Sequence, residues 1–481
     1  MNELVARALD LATVQGAAYA DVRIVRHQSQ FVLVKNGTVE QVHLGEEEGI
    51  GVRALVDGAW GFASSCRLTA PEVDEITTEA VRIARASARV HQRPVQLGEA
   101  VRSRGTYRTP VEIDPFSVPL DEKIALLLQA DEAMRRVPQV TVATGTIVCV
   151  RDVKTFGNTE GADTEQEIIQ TGGGIAATAT GHGEVQRRSY PSGGGRNQVC
   201  AGFEALQRQD LPGNAQRIAE EAAALLTARQ CPPMVTTVIL EGSQVALQVH
   251  ESCGHPIELD RVFGTEAAFA GTSFLTPEKL GTFRYGSALV NITMDATTPG
   301  GLGTFGWDDE GVPAQRAYAV KDGLFVGYLT DRESAARLGL PHSTGAARAS
   351  GWNRIPLVRM TNVSLEPGES SLEEMIATTD EGIYMATNRS WSIDDRRLNF
   401  QFGTEIAWEI RNGKLGALLK NATYTGITPE FWRSCDAIGN RAEWVVWGTP
   451  NCGKGQPSQT MHTGHGAAPA RFRNVRVGVA R

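Results

Sequence analysis

The stretch "VTTVILEGSQVALQVHESCGHPIE", residues 235–258, joins an apolar strand directly to an amphipathic helix. The end of that helix holds His250 and His255, with Glu251 directly after the first histidine. A step of five residues turns about 140° around an ideal α-helix, so these two rings would not share one ion if the helix were regular. The sequence therefore predicts either a coincidence or an irregular helix with a third ligand elsewhere in the chain.

The two residues that flank His255 provide a local reason for irregularity. Gly254 tolerates a distorted last turn, and Pro256 disfavours α-helical geometry in the residue before it. We therefore expect either a helix that ends at Gly254 or a widened turn with i→i+5 hydrogen bonding, which would bring His255 back toward His250. Such π-type bulges are frequent at functional sites.

A catalytic zinc site commonly has three protein ligands, so one more is needed. Cys452 lies in "TPNCGKGQPSQ", which predicts a thiol on a Gly-rich loop, and a thiolate is a good ligand for zinc. Cys253 is nearer in sequence but lies on the wrong face of the helix. Glu251, next to the first ligand, fits a general base better than a fourth ligand.

Each of these features also has an ordinary explanation. One histidine could be a polar residue on a solvent face, and the other could be a core histidine whose hydrogen bonds are satisfied. Cys452 could be a loop thiol without a chemical role, and Glu251 could be a solvated helix residue. Chance alone gives about 0.02 matches to this histidine and acid pattern in a chain of this composition, which favours the metal site.

Other polar clusters give weaker signals. The run Asp308 to Glu310 is more typical of a solvated turn than of a metal site, and His462 and His465 look like exposed loop residues. Either histidine could orient a substrate, and we name His465 as a candidate substrate-binding residue. The Gly-rich stretches "TGGGIAATATGHG" and "SGGGRN" lack the context of a nucleotide-binding loop, so no nucleotide cofactor is expected.

Composition places the chain among ordinary globular proteins, with 41% hydrophobic and 21% charged residues. A net charge of −8 argues against a general nucleic-acid binder. We expect no membrane span, because no apolar run approaches about 18 residues, and no signal peptide at the start. Seven scattered cysteines do not suggest a disulfide framework, so a cytoplasmic location is expected.

Turn signals and periodicity predict an α+β fold. Four dipeptides that favour hairpins lie between alternating stretches, at Asn36-Gly37, Asp57-Gly58, Asp322-Gly323 and Asn412-Gly413. Helices are expected after a Thr69–Glu72 capping box, over 120–136, near 215–228 and in "SSLEEMIATT". Pro232-Pro233 suggests a boundary between a mixed α/β domain, residues 1–230, and a β-rich domain, residues 231–481.

Six motifs span nearly the whole chain, namely "GIGVRALVDGAWGFAS", "HESCGHPIE", "DDEGVPAQRAYAVKDGLFVGYLTDRESAARLG", "IPLVRMTNVSLEPG", "EGIYM" and "CGKGQP". Together they resemble the TldD/PmbA metallopeptidases, also known as modulators of DNA gyrase. The resemblance implies one Zn²⁺ per chain bound by His250, His255 and Cys452, with Glu251 as the base. All four positions are present, as in the active TldD type, whereas PmbA-type partner chains lack the metal motif. Ser252-Cys253 departs from the small apolar residues usual there, which raises the question of redox sensitivity.

The family further implies a homodimer, or a heterodimer with a PmbA-type chain, that encloses a cavity for extended or unfolded peptides. The sequence therefore predicts a zinc peptidase of the β-rich domain, with the preceding domain serving substrate access and assembly. The alternatives are a non-catalytic scaffold or regulatory subunit with a structural metal, and an iron site with redox chemistry.

Overall fold

The computed structural model describes residues 1–478 of the 481-residue chain. Its helices and strands are mixed in the first half, and strands predominate in the second, which confirms the predicted α+β class. No helix within these residues is long and apolar enough to cross a membrane.

The first half contains eight strands and five helices. The strands are β1 Tyr19–Lys35, β2 Thr38–Val56, β3 Ala59–Ser65, β4 Arg104–Arg108, β5 Val140–Asn158, β6 Asp163–Gly181, β7 Glu184–Tyr190 and β8 Asn197–Val199. The helices are α1 Glu3–Val14, α2 Ala70–Ala88, α3 Leu120–Arg135, α4 Glu204–Gln209 and α5 Leu211–Leu225.

These eight strands form one sheet. Its order is β3-β2-β1-β5-β6-β4, and β7 and β8 also pair with β6. The apolar faces of α1 and α2 pack on one part of the sheet, around Val5, Val22 and Val81. Those of α3 and α5 pack on another part, around Leu127 and Ile218. Burial of these stripes is what holds the helices on the sheet, since amphipathic helices gain most of their stability from tertiary packing.

The second half has more strands, most of them short. They are β9 Arg229–Gln230, β10 Met234–Leu240, β11 Ile292–Asp295, β12 Arg316–Lys321, β13 Leu324–Phe325, β14 Ala347–Arg348, β15 Leu357–Val358, β16 Val363–Leu365, β17 Glu381–Ile393, β18 Asn399–Arg411, β19 Lys414–Lys420, β20 Thr423–Ile427, β21 Cys435–Ile438, β22 Val445–Lys454, β23 Gln459–Ala467 and β24 Ala470–Val477. The helices are α6 Gly242–Val249, α7 Leu259–Val262, α8 Arg332–Leu338, α9 Leu372–Ala377 and α10 Thr428–Arg433, with 3₁₀ turns at His255–Ile257 and Pro277–Lys279.

The largest sheet of this half closes on itself. Its order is β17-β10-β24-β20-β18-β19-β9, and β17 also pairs with β18, so five strands form a ring. Its core contains Phe400, Tyr424, Trp432 and Phe472, all buried. Separate smaller sheets are formed by β13-β12-β11-β16, by β14-β15 and by β22-β23.

All four predicted hairpin turns are confirmed. Asn36, Asp57, Asp322 and Asn412 have φ values of 49°, 49°, 50° and 49°, and each is followed by a glycine with positive φ. These left-handed pairs suit the tight turns between antiparallel strands. The Ser371 cap of α9 is confirmed as well, with a reciprocal capping box to Glu374.

The expected capping box of α2 is wrong. The helix does begin after Thr69, but the Thr69 side chain makes no capping hydrogen bond. Glu72 instead accepts a hydrogen bond of 2.6 Å from the Ser65 hydroxyl on β3. A tertiary partner has replaced the local one.

The acidic run Asp308 to Glu310 is buried, which corrects the expectation of a solvated turn. An oxygen of Asp309 lies 3.3 Å from Nζ of Lys154, and a Glu310 oxygen lies 3.0 Å from Nη2 of Arg53. Asp308 accepts hydrogen bonds from backbone N–H groups, including those of Glu310 and Ala347. This run therefore ties the second half of the chain to β2 and β5 of the first.

Candidate metal centre

The predicted irregular helix end is confirmed. Helix α6 follows β10 and continues into a π-helical turn over His250–Gly254. The N–H of His255 donates to the carbonyl of His250, which is the i→i+5 bond of a widened turn. As a result the two rings lie with their centroids 4.9 Å apart at an interplanar angle of 88°.

Gly254 is required by close packing at this turn. A Cβ atom there would lie 2.2 Å from Sδ of Met360, a distance that nonbonded heavy atoms do not reach. The residue can therefore not be exchanged for a larger one without moving Met360. Because Gly254 has no side chain, the π turn can pack closely against Met360 in the core.

Cys452 joins the two histidines. One potential ligand atom from each of His250, His255 and Cys452 lies within 4.8 Å of the others, and all three residues are buried. Cys452 Sγ is 3.7 Å from Nε2 of His255. The cysteine is near the end of β22, paired with Met461, and not on a loop as its glycine neighbours suggested.

In both candidate ligand histidines, His250 and His255, the Nδ1 atom makes a hydrogen bond to a buried side chain. Nδ1 of His255 lies 2.9 Å from Oε2 of Glu258, so it carries the proton and donates to that carboxylate. Nδ1 of His465 lies 2.8 Å from the Val363 carbonyl, which can only accept, so Nε2 of His465 is an acceptor. That Nε2 atom is 2.7 Å from Nδ1 of His250, which must then donate. Both ligand candidates therefore present an unprotonated Nε2.

The environment favours metal-binding forms of the three side chains. Burial lowers the pKa of His250 and lowers that of His255 strongly, which keeps both imidazoles neutral. Burial alone would raise the pKa of the Cys452 thiol, but His255 and Arg359 outweigh it and leave that pKa below its ordinary value. Neutral imidazole and thiolate are the forms that bind metal ions.

A buried lysine connects β22, the strand of Cys452, to the segment that follows His255. Nζ of Lys454 is 2.7 Å from Oδ1 of Asp260, 3.5 Å from Oε2 of Glu258 and 4.0 Å from Oε2 of Glu266. Burial lowers the pKa of Lys454, but these carboxylates outweigh it and raise that pKa above the ordinary value. These ion pairs hold β22, which carries Cys452, against Glu258, the hydrogen-bond partner of His255.

Glu251 lies beside the donor group in a cleft. Its Oε2 atom is 2.6 Å from Nη1 of Arg397, a residue with φ of 63° in the turn between β17 and β18. The cleft has a volume of about 710 Å³, and His250, His255, Cys452 and Glu251 all line it. Its other walls come from both halves of the chain.

Two other predicted neighbours lie elsewhere than expected. His465 is on β23, fully buried, behind His250, and it is not among the residues that line the cleft, so a role in orienting His250 fits it better than substrate contact. His462, on the same strand, bonds Gln170 and is not an exposed loop residue either. Cys253 lies in the apolar core, and burial raises the pKa of its thiol to about 12.

Sequence reasoning missed Glu258, Arg397 and Lys454. Glu258 could have been found, because a carboxylate three residues after a histidine at a helix end can reach its Nδ1. Arg397 is 146 residues from Glu251 and had no local signal. Lys454 lies two residues after Cys452, but its role in the buried ion cluster can be recognised only when the carboxylates around it are known.

The chain matches known proteins over most of its length. Residues 233–478 match the PmbA/TldA metallopeptidase C-terminal domain, residues 113–230 the central domain and residues 20–88 domain 1 of the same family. The chain is 30% identical to the metalloprotease MJ0996 of Methanocaldococcus jannaschii over 450 residues, or 93% of this chain and 95% of the relative.

Two further matches differ in extent. A zinc metalloprotease TldD homolog of Saccharolobus solfataricus is 27% identical over 242 residues, 50% of this chain and 51% of that one. The solved structure of TldE from Thermococcus kodakarensis aligns with a TM-score of 0.76 at 16% identity, covering 99% of this chain and 100% of that chain. The three domain matches and the archaeal metalloprotease lead to one conclusion, namely that the chain belongs to the PmbA/TldD metallopeptidase family.

Proposed function

We propose that the chain is a zinc-dependent peptidase of the TldD type that hydrolyses extended or unfolded peptides. One observation carries the proposal: the ligand atoms of His250, His255 and Cys452 lie within 4.8 Å of one another, beside a carboxylate in a cleft. We assign these residues as the ligands of one Zn²⁺ and Glu251 as the general base.

The donor set fits zinc. Two imidazoles and one thiolate are ligands that zinc prefers, and three protein ligands leave a position open. Both imidazoles already have a hydrogen-bond acceptor for Nδ1–H, which is the usual arrangement around a zinc-bound histidine. A bound Zn²⁺ would supply Lewis-acid polarisation of the scissile carbonyl and would lower the pKa of a nearby water.

The position of Glu251 supports the proposal that it takes the proton. It is one residue from a proposed ligand and lines the same cleft as all three of them, which supports this role. Arg397 holds one carboxylate oxygen at 2.6 Å and so fixes the orientation of Glu251. The second oxygen then remains to accept a proton from the attacking water and to pass it to the leaving amine.

The shape of the cleft favours extended substrates. Its walls come from β6, β7 and the following loop on one side and from α6, β17 and β22 on the other. A volume of about 710 Å³ accommodates a few residues of a peptide but not a folded domain. The first half of the chain, proposed as domain 1–230, would thereby control substrate access to domain 231–481.

We also propose that the chain works as a dimer in the cytoplasm, either with itself or with a PmbA-type partner. This proposal follows from membership of the PmbA/TldD family, whose resemblance implies a two-chain assembly. All seven cysteines are free, and six are buried, as suits a reducing compartment.

The test combines metal analysis with digestion. Purified protein should contain one zinc per chain and should cleave an unstructured peptide, alone or with a PmbA-type chain. Cys452→Ala should remain folded, lose most of its zinc and cleave at least about a hundredfold more slowly. Cys231→Ala, a buried thiol outside the site, is the matched control and should keep its zinc.

Full zinc occupancy in folded Cys452→Ala would exclude this cysteine as a ligand. No cleavage by zinc-loaded protein under any of these conditions would favour the scaffold alternative. Iron in place of zinc would point to redox chemistry.

A further inference from the structure

The Gly-rich stretch "SGGGRN", Ser192–Asn197, forms part of the cleft wall. A Cβ atom on Gly193 would lie 2.5 Å from the carbonyl oxygen of Asn388, so only glycine allows the loop backbone to pack on β17 here. The loop thereby brings Arg196 to the cleft. No role could be assigned to this Gly-rich stretch from the sequence, but in the structure it positions the cationic side chain of Arg196 at the cleft.

Two other arginines reach the same cleft from different elements. Arg187 lies on β7, opposite Thr178 of β6. Arg389 lies on β17 where the pairing with β18 shifts register, between Asn388 and Ser390. Such bulges occur next to active sites, where they redirect a side chain. Both side chains are exposed, as is that of Arg196.

Among the residues that the structure describes, no carboxylate of the cleft lies within ion-pair distance of these three arginines, although Arg187 is close enough to Glu405 to interact with its charge. Glu251 pairs with Arg397, and Glu405 is buried and pairs with Arg188 at 3.0 Å. Within residues 1–478, the ion pairs include none of the three, although Arg389 donates to the amide of Asn421.

The cleft therefore has a positive lining in a chain whose net charge is −8. A concave surface lined by one sign of charge concentrates ligands of the opposite sign. A peptide rich in glutamate or aspartate would be attracted here and repelled by the rest of the surface.

We propose that the cleft selects acidic peptides, whose side-chain carboxylates pair with Arg187, Arg196 and Arg389 as the chain lies across the site. This inference rests on the proposed peptidase function and names its substrate class. It does not require a defined sequence motif, since three separate cations around an open cleft recognise charge density more than a fixed register.

The test is a binding measurement that does not need turnover. Zinc-loaded Glu251→Gln protein is titrated into a fluorescein-labelled unstructured peptide with several glutamates, and into the same peptide with glutamines. The acidic peptide should bind at least about tenfold more tightly at low ionic strength, and high salt should remove most of that difference.

Substitution of all three arginines by glutamine should reduce the preference to about twofold or less. The single variants Arg187→Gln, Arg196→Gln and Arg389→Gln provide a second measurement, each with a smaller preference. Arg476→Gln, an exposed strand arginine outside the cleft, should retain the full preference.

Equal affinity for the two peptides, or an undiminished preference in the triple variant, would overturn the inference. So would a single-stranded oligonucleotide that binds in the cleft more tightly than the acidic peptide, because the site would then be a general polyanion site. Selective binding without cleavage by the wild type would support the inference while removing the peptidase function.

Discussion

Nδ1 of His250 lies 2.7 Å from Nε2 of His465, and the other nitrogen of His465 donates to the carbonyl of Val363. This chain of two hydrogen bonds fixes one tautomer of His250, because a carbonyl can only accept. The unprotonated Nε2 of His250 is therefore set by a backbone group on β16, two contacts away from the metal centre.

His465→Leu should weaken zinc binding about 10–100-fold, the usual cost of removing the hydrogen-bond partner of a metal-bound histidine. The measurement is zinc competition with a chelator on protein shown to be folded by circular dichroism. His465→Gln can still accept from Nδ1 and should recover part of the loss.

His462→Leu is the control, since His462 lies on the same strand and bonds Gln170 instead. Unchanged zinc affinity in His465→Leu would show that His250 does not depend on this contact.

Much of the fold was predictable where a local rule decides the conformation. Asn-Gly and Asp-Gly pairs tolerate positive φ, so the four hairpins could be located from sequence. An irregular helix end could be predicted as well, since Gly254 and Pro256 both act on the residue between them, but a π turn and a helix that ends at Gly254 were equally open from sequence. Local rules failed at Glu72, where a hydroxyl on β3 competes with the helix end.

The surroundings of the site could not be predicted from local pattern. Glu251 and Arg397 are 146 residues apart, and the buried run at Asp309 depends on Lys154, 155 residues upstream. Acidic runs are mostly solvated, so nothing in the sequence indicated that cations from another sheet would enclose this one. Tertiary arrangement alone decides these contacts.

Asp309→Asn should destabilise the protein by about 3 kcal/mol, because it leaves the buried Arg23 and the partly buried Lys154 without their carboxylate. The measurement is urea unfolding of wild type and variant. Asp74→Asn, which breaks the exposed pair with Arg7, is the control and should change little. A similarly small effect at Asp309 would mean that the pairing between the two halves does not support stability.

Asp331→Asn should change the pH dependence of stability. Burial, with Glu310 and Asp260 nearby, raises the pKa of Asp331 to about 7. The carboxyl of Asp331 therefore binds its proton more tightly in the folded state than in the unfolded state, where its pKa is about 3.9. The contribution of this proton to the free energy of unfolding is fully present below the unfolded-state pKa and is lost as the pH rises toward the folded-state pKa.

Relative to Asp331→Asn, the wild type should thus lose unfolding free energy between about pH 4 and pH 7. Asparagine remains a good N-cap for α8, so the cap itself is retained. The check is urea unfolding of both proteins across this range. Parallel stability curves would mean that Asp331 ionises normally in the folded protein.

The most direct test of the central claim is the rate of peptide cleavage by zinc-loaded Glu251→Gln protein. Glutamine keeps the size of the side chain and can still accept from Arg397, but it cannot take a proton. The variant should keep its zinc and lower kcat/KM for an unstructured peptide about 10²–10⁴-fold relative to the wild type. Cleavage at the wild-type rate by the zinc-loaded variant would contradict the assignment of Glu251 as the base of a zinc peptidase.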